Sequence, residues 1–165
     1  MKQIPLSQGK FAQVDDEDFE ELNKLKWYLS VRKTTEYAMT NIKTGSRETR
    51  IPPVSMHRNI MGCVKGDGKI VDHKDGNTLN NQKSNLRLCT PTQNCRNRRA
   101  KTNGTSKYIG VTTSRSSLNK RWIAQIIDNG VNHYLGYFKS EEEAAKAYNE
   151  AAKKYHGEFA RLNVI

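Results

Sequence analysis

The residues from Ile70 to Asn97 leave this chain few ways to fold. Ile70 and Val71 read as a short strand that ends in adjacent Asp72 and His73. Asp75-Gly76-Asn77 and Asn80-Asn81 follow, residue types that favour turns and tolerate left-handed backbone. Alternation resumes at Leu86-Arg87-Leu88, the period-2 signature of a half-buried strand. Thr90-Pro91 then has the form of a helix start, a hydroxyl cap followed by proline at the first helical position. Asn94 falls in about the first turn of that helix. The expectation is strand, long loop, strand, helix, with polar side chains at each junction.

Two readings of this stretch compete. An Asp-His pair before an Asn-rich loop makes a hydrogen-bonded turn. The same residues also suit hydrolysis of a phosphodiester, which needs a base for water and a cation for the phosphate charge. Imidazole is the side chain best matched to the first task near neutral pH. A hard divalent ion suits the second, held by one or two protein oxygens plus water and substrate phosphate. Asp72 and Asn94 offer such oxygens, with His73 beside them. Neighbouring residues on a strand point to opposite faces, so Asp72 and His73 serve one site only where the strand ends or twists.

The full spacing, Asp72-His73, then Asn85 in Asn-Leu-Arg, then Asn94 in Gln-Asn-Cys-Arg-Asn, resembles the HNH homing endonucleases in their His-Asn-Asn form. The resemblance implies a ββα-metal fold. It implies His73 as general base, Asp72 and Asn94 as ligands of one Mg2+ or Mn2+ ion, and Asn85 as the residue that orients His73.

The chain has 165 residues, of which 35% are hydrophobic, which suits several small cores joined by polar segments rather than one large one. Its formal charge of +11 comes from 28 basic and 17 acidic residues and calls for a polyanionic partner, nucleic acid first and an anionic membrane surface second. No run approaches the ~18 apolar residues of a membrane span, and the first residues lack the apolar region of a signal peptide. An intracellular, cytoplasmic protein with no membrane or obligatory protein partner is expected. Cys63, Cys89 and Cys95 contain no Cys-x-x-Cys pair, so no structural zinc is expected.

Before the central stretch, residues 1–66 read as a leader of strands around Ile4–Leu6, Phe11–Val14, Trp27–Val31, Tyr37–Met39 and Arg50-Ile51, with a turn over 43–46. The acidic segment from Asp15 carries apolar Phe19, Leu22 and Leu25 at helical spacing, the pattern of a short helix whose start favours negative charge. An acidic metal cluster is the competing view. Val54–Gly62 reads as a short helix closed by glycine. Within it Arg58 is a candidate phosphate contact, and His57 is preferred as a hydrogen-bonded structural residue. Residues 99–106 are basic, then small and polar, and read as a linker. Net charge is +3 over 1–66 (11 basic, 8 acidic), +5 over 67–106 (8 basic, 3 acidic) and +3 over 107–165 (9 basic, 6 acidic). The excess per residue peaks across the core and linker, which makes Arg87, Arg96, Arg98 and Arg99 candidate DNA contacts.

Residues 107–163 contain three β-rich runs, Tyr108–Thr113, Arg121–Ile127 and Asn132–Phe138, with Asp128-Asn129-Gly130 as a hairpin signal. Ser140-Glu-Glu-Glu143 opens a helix, and alanines and tyrosines then recur at helical spacing until Gly157. One sheet face would stay free to carry Arg115, Lys120, Arg121 and Trp122, with Gln125 or Tyr134, into a major groove. Trp122 is equally suited to the core, and a protein-binding sheet is the alternative use of the whole domain. The blocks Tyr-Ile-Gly-Val, Arg-Trp-Ile-Ala-Gln-Ile, Tyr-Leu-Gly-Tyr-Phe and Glu-Glu-Ala-Ala-Lys-Ala-Tyr-Asn resemble an AP2 DNA-binding domain. That resemblance implies duplex binding through the sheet.

The expectation is therefore an α+β chain: a leader over 1–66, an HNH core over 67–98, a linker over 99–106 and an AP2-like domain over 107–163. Its expected function is site-directed DNA cleavage of homing type. The alternative is a DNA-binding regulator that keeps the HNH fold as scaffold.

Overall fold

The computed structural model describes residues 1–32, 35–41, 52–98, 104–114 and 121–165, which divide into two units, Met1–Thr90 and Pro91–Ile165. The first unit opens with β1 (Lys2–Pro5) and β2 (Phe11–Val14), antiparallel and joined through a tight turn at Ser7–Gly9. Helix α1 (Asp16–Asn23) follows, with Asp16, Glu17 and Asp18 in its first turn, where the helix dipole favours acids. Its buried Leu22 and half-buried Phe19 face a core of Ile4, Leu6, Ala12, Val14, Trp27, Leu29, Ala38 and Met56. The acidic segment is thus a helix start, and Lys83 pairs with both Glu17 and Asp18.

Strands β3 (Trp27–Arg32), β4 (Thr35–Thr40) and β5 (Val54–Ser55) form a three-stranded antiparallel sheet in that order. The helix expected from Val54 starts two residues later, as α2 (Met56–Ile60), because Val54 and Ser55 pair with Thr40 and Met39. The expected turn over 43–46 and strand at Arg50-Ile51 lie outside the described residues.

Strands β6 (Ile70–His73) and β7 (Leu86–Cys89) form an antiparallel hairpin with Asp72 opposite Arg87 and His73 opposite Leu86. The leader and the hairpin loop share one core, since Leu79 packs against the cluster that holds Ile4 and Val14. Backbone bonds join the same parts: Gln13 N donates to Leu79 O at 2.8 Å and Asn81 N to Gln13 O at 2.8 Å. The Asp15 carboxylate accepts from Gln82 Nε2 at 3.0 Å and from Lys83 N at 2.7 Å. The leader is the platform on which the loop is fixed.

The second unit begins with the expected short helix, α3 (Pro91–Arg96). Strands β8 (Val111–Thr113), β9 (Trp122–Asp128) and β10 (Val131–Phe138) form an antiparallel sheet with β9 central. The β9–β10 turn places Asn129 at φ 48° and Gly130 at φ 81°, the left-handed pair that a two-residue hairpin turn requires. Helix α4 (Glu141–His156) is capped by Ser140, whose Oγ accepts from Glu143 N at 3.1 Å. Ala144, Ala145, Ala151 and Ala152 are buried and bring α4 close to the sheet. Among the described residues no helix is long and apolar enough to cross a membrane.

Candidate functional site

Strand β6 ends at His73, and there both Asp72 and His73 are buried. They face different neighbours. The Asp72 Oδ2 atom accepts from Arg87 Nε at 2.9 Å and from Nη2 at 2.7 Å, two charge-assisted bonds to one oxygen set by the direct cross-strand register. The His73 ring meets His57 edge-on, with centroids 5.1 Å apart and planes at 74°. His57 also meets the Tyr37 ring, with centroids 5.6 Å apart, and its Nε2 is 3.3 Å from Ser55 Oγ.

Asn81 defines the chemistry of His73. It is fully buried, and its Nδ2 donates to Leu79 O at 3.1 Å, which turns Oδ1 toward His73 Nε2 at 3.4 Å. An amide oxygen only accepts, so Nε2 carries the ring proton and Nδ1 keeps the lone pair. Burial holds the His73 imidazole below its usual pKa, against upward pulls from Asn81, Asp75 and Asp72. A neutral imidazole with a basic Nδ1 is the form a general base requires. Burial pushes His57 further, to about 3, helped by His73 and Arg58. His57 is thus the structural neighbour expected beside the hairpin.

Asn85 closes the loop between the two strands. Its Oδ1 accepts from Asp75 N at 3.0 Å, and its Nδ2 donates to Asp75 Oδ1 at 3.0 Å and Asn80 O at 2.8 Å. Burial pushes the Asp75 carboxyl up, but bonds from Asn77 N, Asn80 and Asn85 outweigh it and hold the group below the usual range. Asn85 therefore shapes the loop that carries Asn81, and Asn81 is the side chain at the His73 ring. Its position in an Asn-rich turn gave no sign of that role.

Asn94 lies exposed on α3, in the second unit. Among the described residues no group of three or more His, Cys, Asp or Glu side chains is placed to hold a metal ion. The donor types still fit one hard ion of the magnesium kind, which keeps most of its waters and needs few protein oxygens. Asp72 would supply a carboxylate and Asn94 an amide oxygen. Within the first unit Arg87 pairs with Oδ2 of Asp72.

Several candidate DNA contacts also have partners within the protein. Arg58 donates to Lys69 O at 2.5 Å, Val64 O at 2.6 Å and Asp67 Oδ1 at 2.8 Å, clamping the loop after α2. Arg87 is the partner of Asp72. Arg96 binds Asp128 Oδ1 at 2.5 Å and Asn129 Oδ1 at 3.1 Å, bracing the β9–β10 turn. Trp122 packs with Phe138 and Leu135 against the cluster of Tyr108, Val111, Ala124, Ala144 and Ala145, on the helix side of the sheet. The reason is strand alternation: Trp122 shares its face with buried Ala124 and Ile126. Arg98 and Arg121 are exposed as expected. Arg99, Arg115 and Lys120 lie outside the described residues.

A family profile for HNH endonucleases matches residues 56–96, from α2 through the hairpin to α3. The uncharacterized HNH endonuclease L560 of Acanthamoeba polyphaga mimivirus is 34% identical over 163 residues, covering 95% of this chain and 76% of that protein. The chain belongs to the HNH endonuclease family. The C-terminal part of this HNH endonuclease is similar to AP2/ERF transcription factors of plants. The ethylene-responsive transcription factor ERN1 of Medicago truncatula is 35% identical over 89 residues, 53% of the chain and 32% of that protein. The dehydration-responsive element-binding protein 2C of Arabidopsis thaliana is 45% identical over 64 residues, 38% of the chain and 18% of that protein. The chain thus spans a third or less of these plant relatives. No solved structure matches it.

Proposed function

We propose that this HNH endonuclease is a site-directed DNA endonuclease of homing type, with a nuclease core over 67–98, a linker over 99–106 and an AP2-like DNA reader over 107–163. The observation that carries the reading is the His73–Asn81 contact at the end of β6, in which an accepting amide oxygen faces Nε2 and supports the proton on that nitrogen. His73 Nδ1 takes the proton from the attacking water, and Asn81 holds the ring so that the lone pair stays on that atom. Asn85 fixes the loop behind it through Asp75 and Asn80. Asp72 and Asn94 are the residues that would hold one Mg2+ or Mn2+ ion. When bound, that ion supplies positive charge against the phosphate oxygens as the bond breaks. The products carry 5′-phosphate ends.

A single metal site touches few base pairs, so site choice falls to the reader, and tethering raises its local concentration at the DNA. The charge of +11 attracts the phosphates of duplex DNA. Supercoiled plasmid incubated with magnesium should become nicked, and EDTA should stop the reaction. One observation favours the rival reading, a DNA-binding regulator with the HNH fold as scaffold: Arg87 already pairs with Oδ2 of Asp72. Tight duplex binding without cleavage by any divalent ion, on DNA rich in target sites, would establish that rival.

A further inference from the structure

The outward face of the second unit's sheet carries no charged side chain among the described residues, in a chain of net charge +11. Ala124 and Ile126 of β9 are buried toward α4, so strand alternation turns Ile123, Gln125 and Ile127 to the opposite face. On β10, His133 stacks on Tyr155 of α4 with centroids 4.5 Å apart, which turns Asn132 and Tyr134 outward. A bulge between Tyr134 and Gly136 resets the alternation and brings Tyr137 to the same face. Tyr134 and Tyr137 meet edge to face at 5.5 Å. Ile127, Tyr134 and Tyr137 are each more than half exposed, which is costly for side chains with nothing to cover them.

The register sorts this face into two chemistries. Gln125 lies opposite Tyr134 and Asn132 opposite Ile127, so the amides occupy one diagonal and the apolar groups the other. Asn132 Nδ2 donates to Gln125 Oε1 at 3.2 Å. That bond leaves the Gln125 amide hydrogens and the Asn132 carbonyl oxygen facing outward, one donor beside one acceptor. If both amides were turned over, one donor and one acceptor would still remain. In the major groove adenine offers an acceptor beside a donor, and thymine adds a methyl group. Guanine offers two acceptors and is matched by arginine or lysine, which this face lacks among the described residues. Cations stand at its end instead: Arg121 precedes β9 and Lys139 follows β10, next to the paired Trp122 and Phe138, and both are exposed.

We infer that this sheet face reads adenine–thymine pairs in the major groove, with Gln125 and Asn132 on adenine edges and Ile127, Tyr134 and Tyr137 on thymine methyls, while Arg121 and Lys139 hold phosphates. The inference rests on the proposed role of the second unit as a DNA reader.

The test is a fluorescence-anisotropy titration of the full-length chain, in EDTA and at one salt concentration, against duplexes of equal length. One is built of mixed A·T steps and one of mixed G·C steps. The A·T duplex should bind about tenfold tighter or better. Replacing adenine by 7-deazaadenine, or thymine by uracil, should each remove a large part of that preference, because these changes alter only the major-groove edge. Asn132→Ala and Gln125→Ala should narrow the preference, and Arg121→Ala should weaken both duplexes alike. Duplex binding with equal affinity for both, or with a G·C preference, would overturn the A·T assignment and leave the reader in place. A preference indifferent to both base analogues would overturn it too, in favour of DNA shape. No duplex binding at all would overturn the reader together with the inference.

Discussion

Lowering the pH from 8 to 5 should destabilise the first unit through His57. The imidazole is buried and meets the rings of His73 and Tyr37, and burial, His73 and Arg58 bring its pKa from 6.5 to about 3. The folded pKa lies below the unfolded one, so between the two values the unfolded chain binds more protons. The stability is complete above 6.5 and falls as pH drops through 6.5 toward about 3. Linkage makes the loss about 2 kcal/mol at pH 5 and about 3 kcal/mol at pH 4. His73 shifts in the same direction and adds to it. Trp27, buried in the first unit and bonded to Leu22 O at 2.8 Å, reports this unit's unfolding by fluorescence once Trp122 is changed to Phe. Urea denaturation of that background and of its His57→Asn derivative, at pH 8 and pH 5, isolates the His57 contribution because other titrating groups cancel. The derivative should lose about 2 kcal/mol less than its parent across this interval. Equal losses in the two proteins would refute the argument.

Three further outcomes follow from the same contacts. Arg87→Leu removes the guanidinium from the buried Asp72 carboxylate and should cost about 3 kcal/mol, part of which added magnesium restores in urea denaturation. Asn81→Ala frees the His73 ring from its acceptor; the 15N shifts of the ring should then report an Nδ1–H population absent from wild type, and nicking should fall about a hundredfold. Gly110→Ala should destabilise the second unit by about 3 kcal/mol or more, measured through Trp122 fluorescence in a Trp27→Phe background. Gly110 sits at φ 73°, and a Cβ there would come within 2.1 Å of the Tyr148 ring and 2.5 Å of Gln125 O.

Short-range signals were legible in the sequence. Pro91 opening α3, Ser140 capping α4, the Asn129-Gly130 turn and the hairpin around Asp72-His73 each depend on a few neighbouring residues. What escaped depends on pairing across distance. Asp15 reads locally as a helix cap, yet its carboxylate binds Gln82 and Lys83, 67 and 68 residues away. The role of Asn81 arises because Gln13 accepts from its backbone and Leu79 from its side chain, and no local pattern encodes the first of these. Arginines in a basic chain suggest phosphate contacts, but Arg58, Arg87 and Arg96 meet oxygens of the protein itself. The place of Trp122 was readable after all: period two puts it with Ala124 and Ile126, whereas the AP2 resemblance pointed it toward DNA.

Cleavage by His73→Ala beside wild type, with binding to the same target-bearing duplex measured in EDTA, tests the central claim most directly. The account predicts binding within a few-fold of wild type and magnesium-dependent nicking slower by at least about a hundredfold. A His73→Ala protein that nicks at the wild-type rate would contradict it.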